Sequence, residues 1–127
     1  MIDEYIRGIK DAVAALGRVA RRSSIYNEER EADFLFLRGE ILFADGSSLH
    51  FREFVHLQVG QPPDRYKYAY HYQRADGTIT FRYDRARHYP DLPDAPHHKH
   101  IGEVEVIAAN VPDLQTVLDE IKGLIQT

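Results

Sequence analysis

Apolar residues recur at Ile2, Tyr5, Ile6, Ile9, Val13, Leu16 and Ala20, in steps of three and four with charged residues between them. That period places one apolar stripe along an amphipathic helix at the start of the chain, broken at Ser23-Ser24. Residues 25–31 read as a short, polar first strand. The period then changes to two. Leu35, Leu37, Gly39, Ile41 and Phe43 share one face, and Leu49, Phe51, Val55 and Leu57 share a face of the next run. The three-residue loop Ala44-Asp45-Gly46, with glycine in the left-handed position, joins the two runs as a hairpin. It sets Phe43 opposite Ser47, Ile41 opposite Leu49 and Leu35 opposite Val55; a slip of one residue would turn one apolar set to water. The opposite face then carries Arg38, Glu40, His50, Arg52 and His56, with Phe36 and Phe54 among them.

After a turn at Gln61-Pro62-Pro63-Asp64, Tyr66, Tyr68, Tyr70 and Tyr72 alternate along a fourth strand. Asp76-Gly77 reverses the chain again. A two-residue turn there puts Tyr72 opposite Phe81, Tyr70 opposite Tyr83 and His71 opposite Arg82. Residues 84–96, rich in proline and arginine, read as an ordered irregular loop. Val104, Val106 and Ile107 read as a weak strand. Asn110 and Pro112 announce a closing helix with Leu114, Val117, Leu118, Ile121 and Ile125 on one stripe. The expected fold is α+β. It is a single domain over residues 1–127, with an antiparallel β-meander of four to five strands. The N- and C-terminal helices pack on one face of the sheet and leave the other polar.

At 127 residues the chain is long enough to bury a core unaided. It has no cysteine, which removes disulfides and thiolate chemistry and fits a cytoplasmic location. No apolar run approaches the ~18 residues of a membrane span, and the charged opening stretch is not a signal peptide. The formal net charge of -4 argues against a generic electrostatic nucleic-acid binder, so an anionic substrate must be met by a local patch. Most of the 8 tyrosines and 7 histidines lie between His50 and His100, where such a patch would form.

On the polar face, His50, Arg52, His71, Arg82 and Asp84 project from central strands. A solvated face laced with ion pairs, Arg82 with Asp84 among them, accounts for this; an anionic ligand is the functional alternative. The run Pro96-His97-His98-Lys99-His100 concentrates the side chain best suited to exchange protons near neutral pH. A metal site would need His98 and His100 completed by His88 or His71. No carboxylate follows at a typical ligand spacing and there is no cysteine, so no metal and no other cofactor is assigned. The tyrosine ladder suits strand packing, with nucleobase stacking as the alternative. There is no P-loop, dinucleotide fingerprint, nucleophile elbow or zinc-knuckle spacing.

Four motifs occur together: His50-Phe51-Arg52-Glu53-Phe54, Tyr70-His71-Tyr72-Gln73, Phe81-Arg82-Tyr83-Asp84 and Pro96-His97-His98-Lys99-His100. In order and spacing they resemble the TumE family, the toxin components of toxin–antitoxin pairs. The resemblance covers residues 34–100 and extends loosely to both helices. It departs from the family pattern after Phe-Arg-Tyr-Asp, where Arg85, Arg87, His88 and Tyr89 stand. The resemblance implies a toxin with a cognate antitoxin, expected to be of helix-turn-helix type.

The chemistry expected of such a toxin is metal-independent cleavage of RNA, or action on translation. His98 or His100 and His71 would transfer protons. Arg82 and Lys99 would hold the phosphate, Arg52 would assist, and Asp84 would orient a histidine or arginine. His50, Arg85 and His97 would add binding contacts. Self-association is a further expectation. The alternatives are a non-catalytic module that binds a partner protein or anionic ligand, and a histidine-rich metal-dependent enzyme.

Overall fold

A computed structural model of the chain describes residues 1–85, 97–101, 105–108 and 113–125. The first helix, α1, spans Ile2–Ala14 and buries Ile9 and Val13. It ends sooner than the apolar spacing suggests. Gly17 takes a φ of 56°, a conformation glycine adopts without steric cost, and a single 3-10 turn over Gly17–Val19 redirects the chain. Ala20 therefore opens the first strand, and Ser23-Ser24 lies inside that strand instead of breaking a helix.

The strands are β1 (Ala20–Arg30), β2 (Phe34–Phe43), β3 (Ser48–His56), β4 (Asp64–Gln73), β5 (Ile79–Arg85), β6 (His97–Ile101) and β7 (Glu105–Ala108). The second helix, α2, is Leu114–Leu124, and Asp113 caps it by accepting the Thr116 amide at 2.8 Å. Every strand pairs antiparallel with its neighbours in sequence, in the order β1 to β7. The α+β meander expected from the sequence is thus present, with its first five strands continued by β6 and β7. Val106 and Ile107 lie in β7. Of the expected loop 84–96, Asp84 and Arg85 instead extend β5; residues 86–96 and Val104 lie outside the described residues.

Both helices cover one face. Ile9, Val13 and Leu16 from the α1 side, and Val117, Leu118 and Ile121 from α2, join one apolar cluster with Leu37, Ile41, Leu49, Phe51 and Tyr70 of the sheet. Gly39 belongs to this face for a steric reason. The Phe51 ring lies directly over it, and a Cβ there would sit 2.4 Å from Phe51 Cζ.

The two Ala-Asp-Gly turns have the same geometry. Phe43 N donates to Ser47 O at 2.8 Å, and Arg74 N donates to Thr78 O at 2.8 Å, so each closes a three-residue loop. In each, the aspartate Oδ1 accepts the backbone amide two residues on, from Ser47 or from Thr78. The expected two-residue turn at Asp76-Gly77 is therefore corrected to three. The expected pairing of Tyr72 with Phe81 and His71 with Arg82 nevertheless stands. A register shift between Tyr72 and Gln73 absorbs the extra residue.

A second bulge breaks the tyrosine ladder. Phe54 pairs with Lys67 and Val55 with Arg65, which leaves Tyr66 between pairs. Side chains alternate along a strand, so one extra residue reverses which face they take beyond it. Tyr68, Tyr70 and Tyr72 are buried on the helix side. Tyr66 instead meets Phe34 and Phe54 on the open face. Core packing accounts for three of the four tyrosines.

Candidate functional site

The open face is organised in rows that cross the strands. One row runs Glu40, His50, His71 and Arg82, each the register partner of the next, and the backbone of His100 continues it on β6. The row beside it runs Arg38, Arg52, Ala69 and Asp84, continued by the backbone of His98. Adjacent strands lie about 4.8 Å apart, so each row is a line of closely spaced side chains. Together they line a shallow cavity of about 660 Å3 that includes Arg38, His50, Arg52, His71, Gln73 and Arg82. Ala69 offers only a methyl group between Arg52 and Asp84, which leaves room above it.

Each group has a definable state. His50 Nδ1 lies 3.3 Å from Glu40 Oε1, and the His50 and His71 rings are edge to face at 6.4 Å between centroids. His71 Nε2 donates to Gln73 Oε1 at 3.1 Å, leaving Nδ1 as the acceptor of a neutral ring. Burial lowers the His71 pKa below the ordinary histidine value, and the charges of Arg82 and His50 add to that; the Gln73 bond opposes it. His71 is thus a neutral base at pH 7. Arg82 Nε sits 3.3 Å from Asp84 Oδ2, and Asp84 is buried. The two form an ion pair, without hydrogen-bond geometry at Arg82 Nε.

Arg38 stands directly opposite Arg52, a like-charge pairing that destabilises a sheet. Arg38 lies over the Tyr26 ring at 4.8 Å. Arg52 is exposed and has no carboxylate within ion-pair distance among the described residues. Two exposed cations facing each other, beside the Arg82–Asp84 pair, concentrate positive charge locally on a chain whose net charge is -4.

Not every expected residue lies here. The segment carrying the histidine run is assigned to no strand by the sequence pattern. Instead it adds to the sheet as β6, where it satisfies the edge hydrogen-bonding groups of β5. Lys99 pairs with Tyr83 and lies on the helix side, its Nζ 2.8 Å from Glu120 Oε2 of α2. It is therefore across the sheet from Arg82. Arg85 also takes the helix-side parity, and its Nη1 donates to the Arg65 carbonyl at 3.5 Å. His97, His98 and His100 hold their register positions in β6, with side chains outside the described part of the structure; His88 lies outside it altogether. Among the described residues no three histidine or acidic side chains converge as a metal-binding group.

One polar group escaped the sequence reading. Glu53 is buried on the helix side, between Phe51 and Val55. Its carboxylate accepts hydrogen bonds from Tyr5 of α1 and Tyr70 of β4, and Arg65 Nη1 donates to the Tyr70 hydroxyl at 3.0 Å. Burial first, and the adjacent carboxylate second, push both phenols well above their usual range. Burial opposes the Arg65 charge, but Tyr70 and Glu53 outweigh it and raise its pKa. The signal was in the alternation, which puts position 53 at core parity.

No helix among the described residues is long and apolar enough to cross a membrane. A search for similar proteins finds no match among curated proteins and none among solved structures. The family model described as Toxin TumE, in contrast, matches residues 9–125, from the middle of α1 to the end of α2. The match takes in the second half of α1, the seven described strands and α2, and so the whole of the open-face rows; the chain belongs to the TumE toxin family.

Proposed function

We propose that this toxin acts on RNA by metal-independent cleavage of a phosphodiester at the open-face rows. Membership of the family implies an antitoxin partner. The observation that supports the chemistry is the row of His50, His71 and Arg82 on three adjacent strands, with Arg52, which has no ion-pair partner among the described residues, beside it. His71, neutral and with Nδ1 free to accept, takes the proton of a ribose 2′-hydroxyl. The 2′-oxygen forms a bond to phosphorus and the bond from phosphorus to the 5′-oxygen breaks. A protonated histidine gives its proton to that leaving oxygen, and the products are a 2′,3′-cyclic phosphate and a 5′-hydroxyl. His50, oriented by Glu40 and one strand from His71, is the described candidate for the acid. His100 and His98, at the β6 ends of the rows, are the further candidates. Arg82, paired with Asp84, and Arg52 stabilise the charge that builds on the phosphorane. Lys99 and Arg85 take no part in this scheme, because both lie on the helix side.

The antitoxin is expected to be a helix-turn-helix protein that occludes the open face. Expression of the chain without it is expected to arrest growth. The His71→Ala and Arg82→Ala variants should relieve the arrest while remaining folded, as should His98→Ala or His100→Ala if β6 supplies the acid. Arg82→Ala should do so with a lowered melting temperature, because buried Asp84 loses that cation. Purified protein in a chelator should leave RNA fragments ending in a cyclic phosphate. Arrest that persists in all four variants would remove these residues from the mechanism. Arrest without any RNA cleavage would favour a non-catalytic binding role.

A further inference from the structure

Four residues along the strands from the histidine row, beyond the row of Arg38 and Arg52, the open face becomes aromatic. Phe36 and Phe54 are register partners with ring centroids 4.8 Å apart. Tyr66, turned onto this face by the β4 bulge, lies 6.2 Å from Phe54 and 5.8 Å from Phe34. Tyr66 is 39% exposed, and neither helix covers this side. Cations frame the rings: Arg30 stands 5.5 Å from the Phe36 centroid and Lys67 5.3 Å from that of Phe54. Aromatic rings left open on a sheet, with cations set at their margins, are out of place as a core and unnecessary as a solvated surface.

The charges decide between occupants. A protein with an apolar face would satisfy the rings but would have to cover Arg30, Lys67, Arg38 and Arg52 as well. A single strand of nucleic acid satisfies both sets, because its bases stack on the rings while its phosphates meet the cations. A duplex cannot, since its bases are already stacked on one another. The aromatic zone is also continuous with the rows. Along β3 the open-face residues are His50, Arg52 and Phe54 in turn, about 6.7 Å apart.

We infer that the zone around Phe36, Phe54 and Tyr66 is a base-stacking subsite for single-stranded RNA, which holds one or two unpaired bases while a phosphate further along the strand reaches His71. The inference rests on the RNA-cleaving role proposed above and adds the form of substrate that role requires.

The test is binding of the purified full chain to a labelled 2′-O-methyl octauridylate, which cannot be cleaved at its blocked hydroxyls, and to an abasic strand of equal length. The wild-type chain should prefer the base-bearing strand by about tenfold or more. A Phe54→Leu, Tyr66→Leu variant should lose about ten- to a hundredfold for that strand and nothing for the abasic one. Tyr66→Ser alone, at an exposed bulge position, serves if the double variant does not fold, and should lose about five- to tenfold. Equal wild-type affinity for the two strands, or unchanged affinity in the variants, overturns the subsite while leaving phosphate recognition in place. No wild-type affinity for either strand overturns the subsite and the RNA reading together. Variants that keep RNA affinity but no longer bind the antitoxin would assign the aromatic zone to the protein partner, which also overturns it.

Discussion

Tyr5 of α1 and Glu53 of β3 are 48 residues apart in the chain and hydrogen-bonded in the interior, with Tyr70 donating to the other carboxylate oxygen. The pair ties the first helix to the middle of the sheet through a group that would be costly to bury alone. Tyr70→Phe is expected to cost about 1–3 kcal/mol in urea denaturation, and Tyr5→Phe somewhat less, because Tyr5 is less buried. The double variant should lose more than the sum of the two by at least about 0.5 kcal/mol, since the carboxylate then has neither phenol. Strict additivity would show that the two hydroxyls do not depend on each other.

The close approach of Gly39 and Phe51 makes a sharper test of packing. Gly39→Ala pushes a methyl group into the ring and should cost about 1–3 kcal/mol. Phe51→Leu costs stability on its own by removing core volume, yet combined with Gly39→Ala it should recover part of the first loss. If the double variant is no better than the sum, the clash is not what makes glycine necessary there.

His71 should show a depressed titration. Its folded pKa lies below the unfolded value of about 6.5, so the folded state binds fewer protons than the unfolded chain as pH falls past that point. The stability it contributes is fully present above about 6.5 and is lost as pH drops through the folded value. An NMR titration should place the His71 midpoint below about 6.5, and Arg82→Ala should raise it by removing a neighbouring cation. A midpoint above 6.5 would contradict the neutral-base assignment. His71→Gln should flatten the pH dependence of stability over the same window.

Lys99 separates structure from activity. Its ammonium is bound to Glu120 and lies under α2, away from the open face. Lys99→Ala should cost about 0.5–1 kcal/mol of stability through the lost pair. Growth arrest by the variant should match wild type once expression is equalised. Arrest abolished in a folded Lys99→Ala protein would place this lysine in the mechanism after all.

The alternating residues of β2, β3 and β5 carried the most information. Leu35 to Phe43 and Leu49 to Val55 have one buried and one open side, so period and register could be read together, and His50, His71 and Arg82 were found on one face. What stayed hidden has a common cause. A bulge inserts a residue without any distinctive side chain, so nothing in Asp64-Arg65-Tyr66-Lys67 announces that Tyr66 changes faces while Arg65 turns inward. The histidine run was hard to place for the opposite reason. With polar residues at every position from His97 to His100 there is no apolar parity to choose a side, and only pairing with β5 assigns Lys99 to the helices.

Strand order follows chain order throughout the sheet. Each new strand emerging from a ribosome therefore finds its partner already made, and the low sequence separation of these contacts favours fast assembly. The rows from Glu40 to Arg82 can form as soon as β5 is released, but Val117, Leu118 and Ile121 arrive last to seal the opposite side. During translation the open-face rows would thus be ready before the protein is stable, and an antitoxin that grips the nascent sheet would meet it at the most vulnerable moment. We expect arrest-peptide force profiles to show two release events, one after β5 clears the exit tunnel and one after α2 does. A single late event would mean that the sheet waits for its final helix.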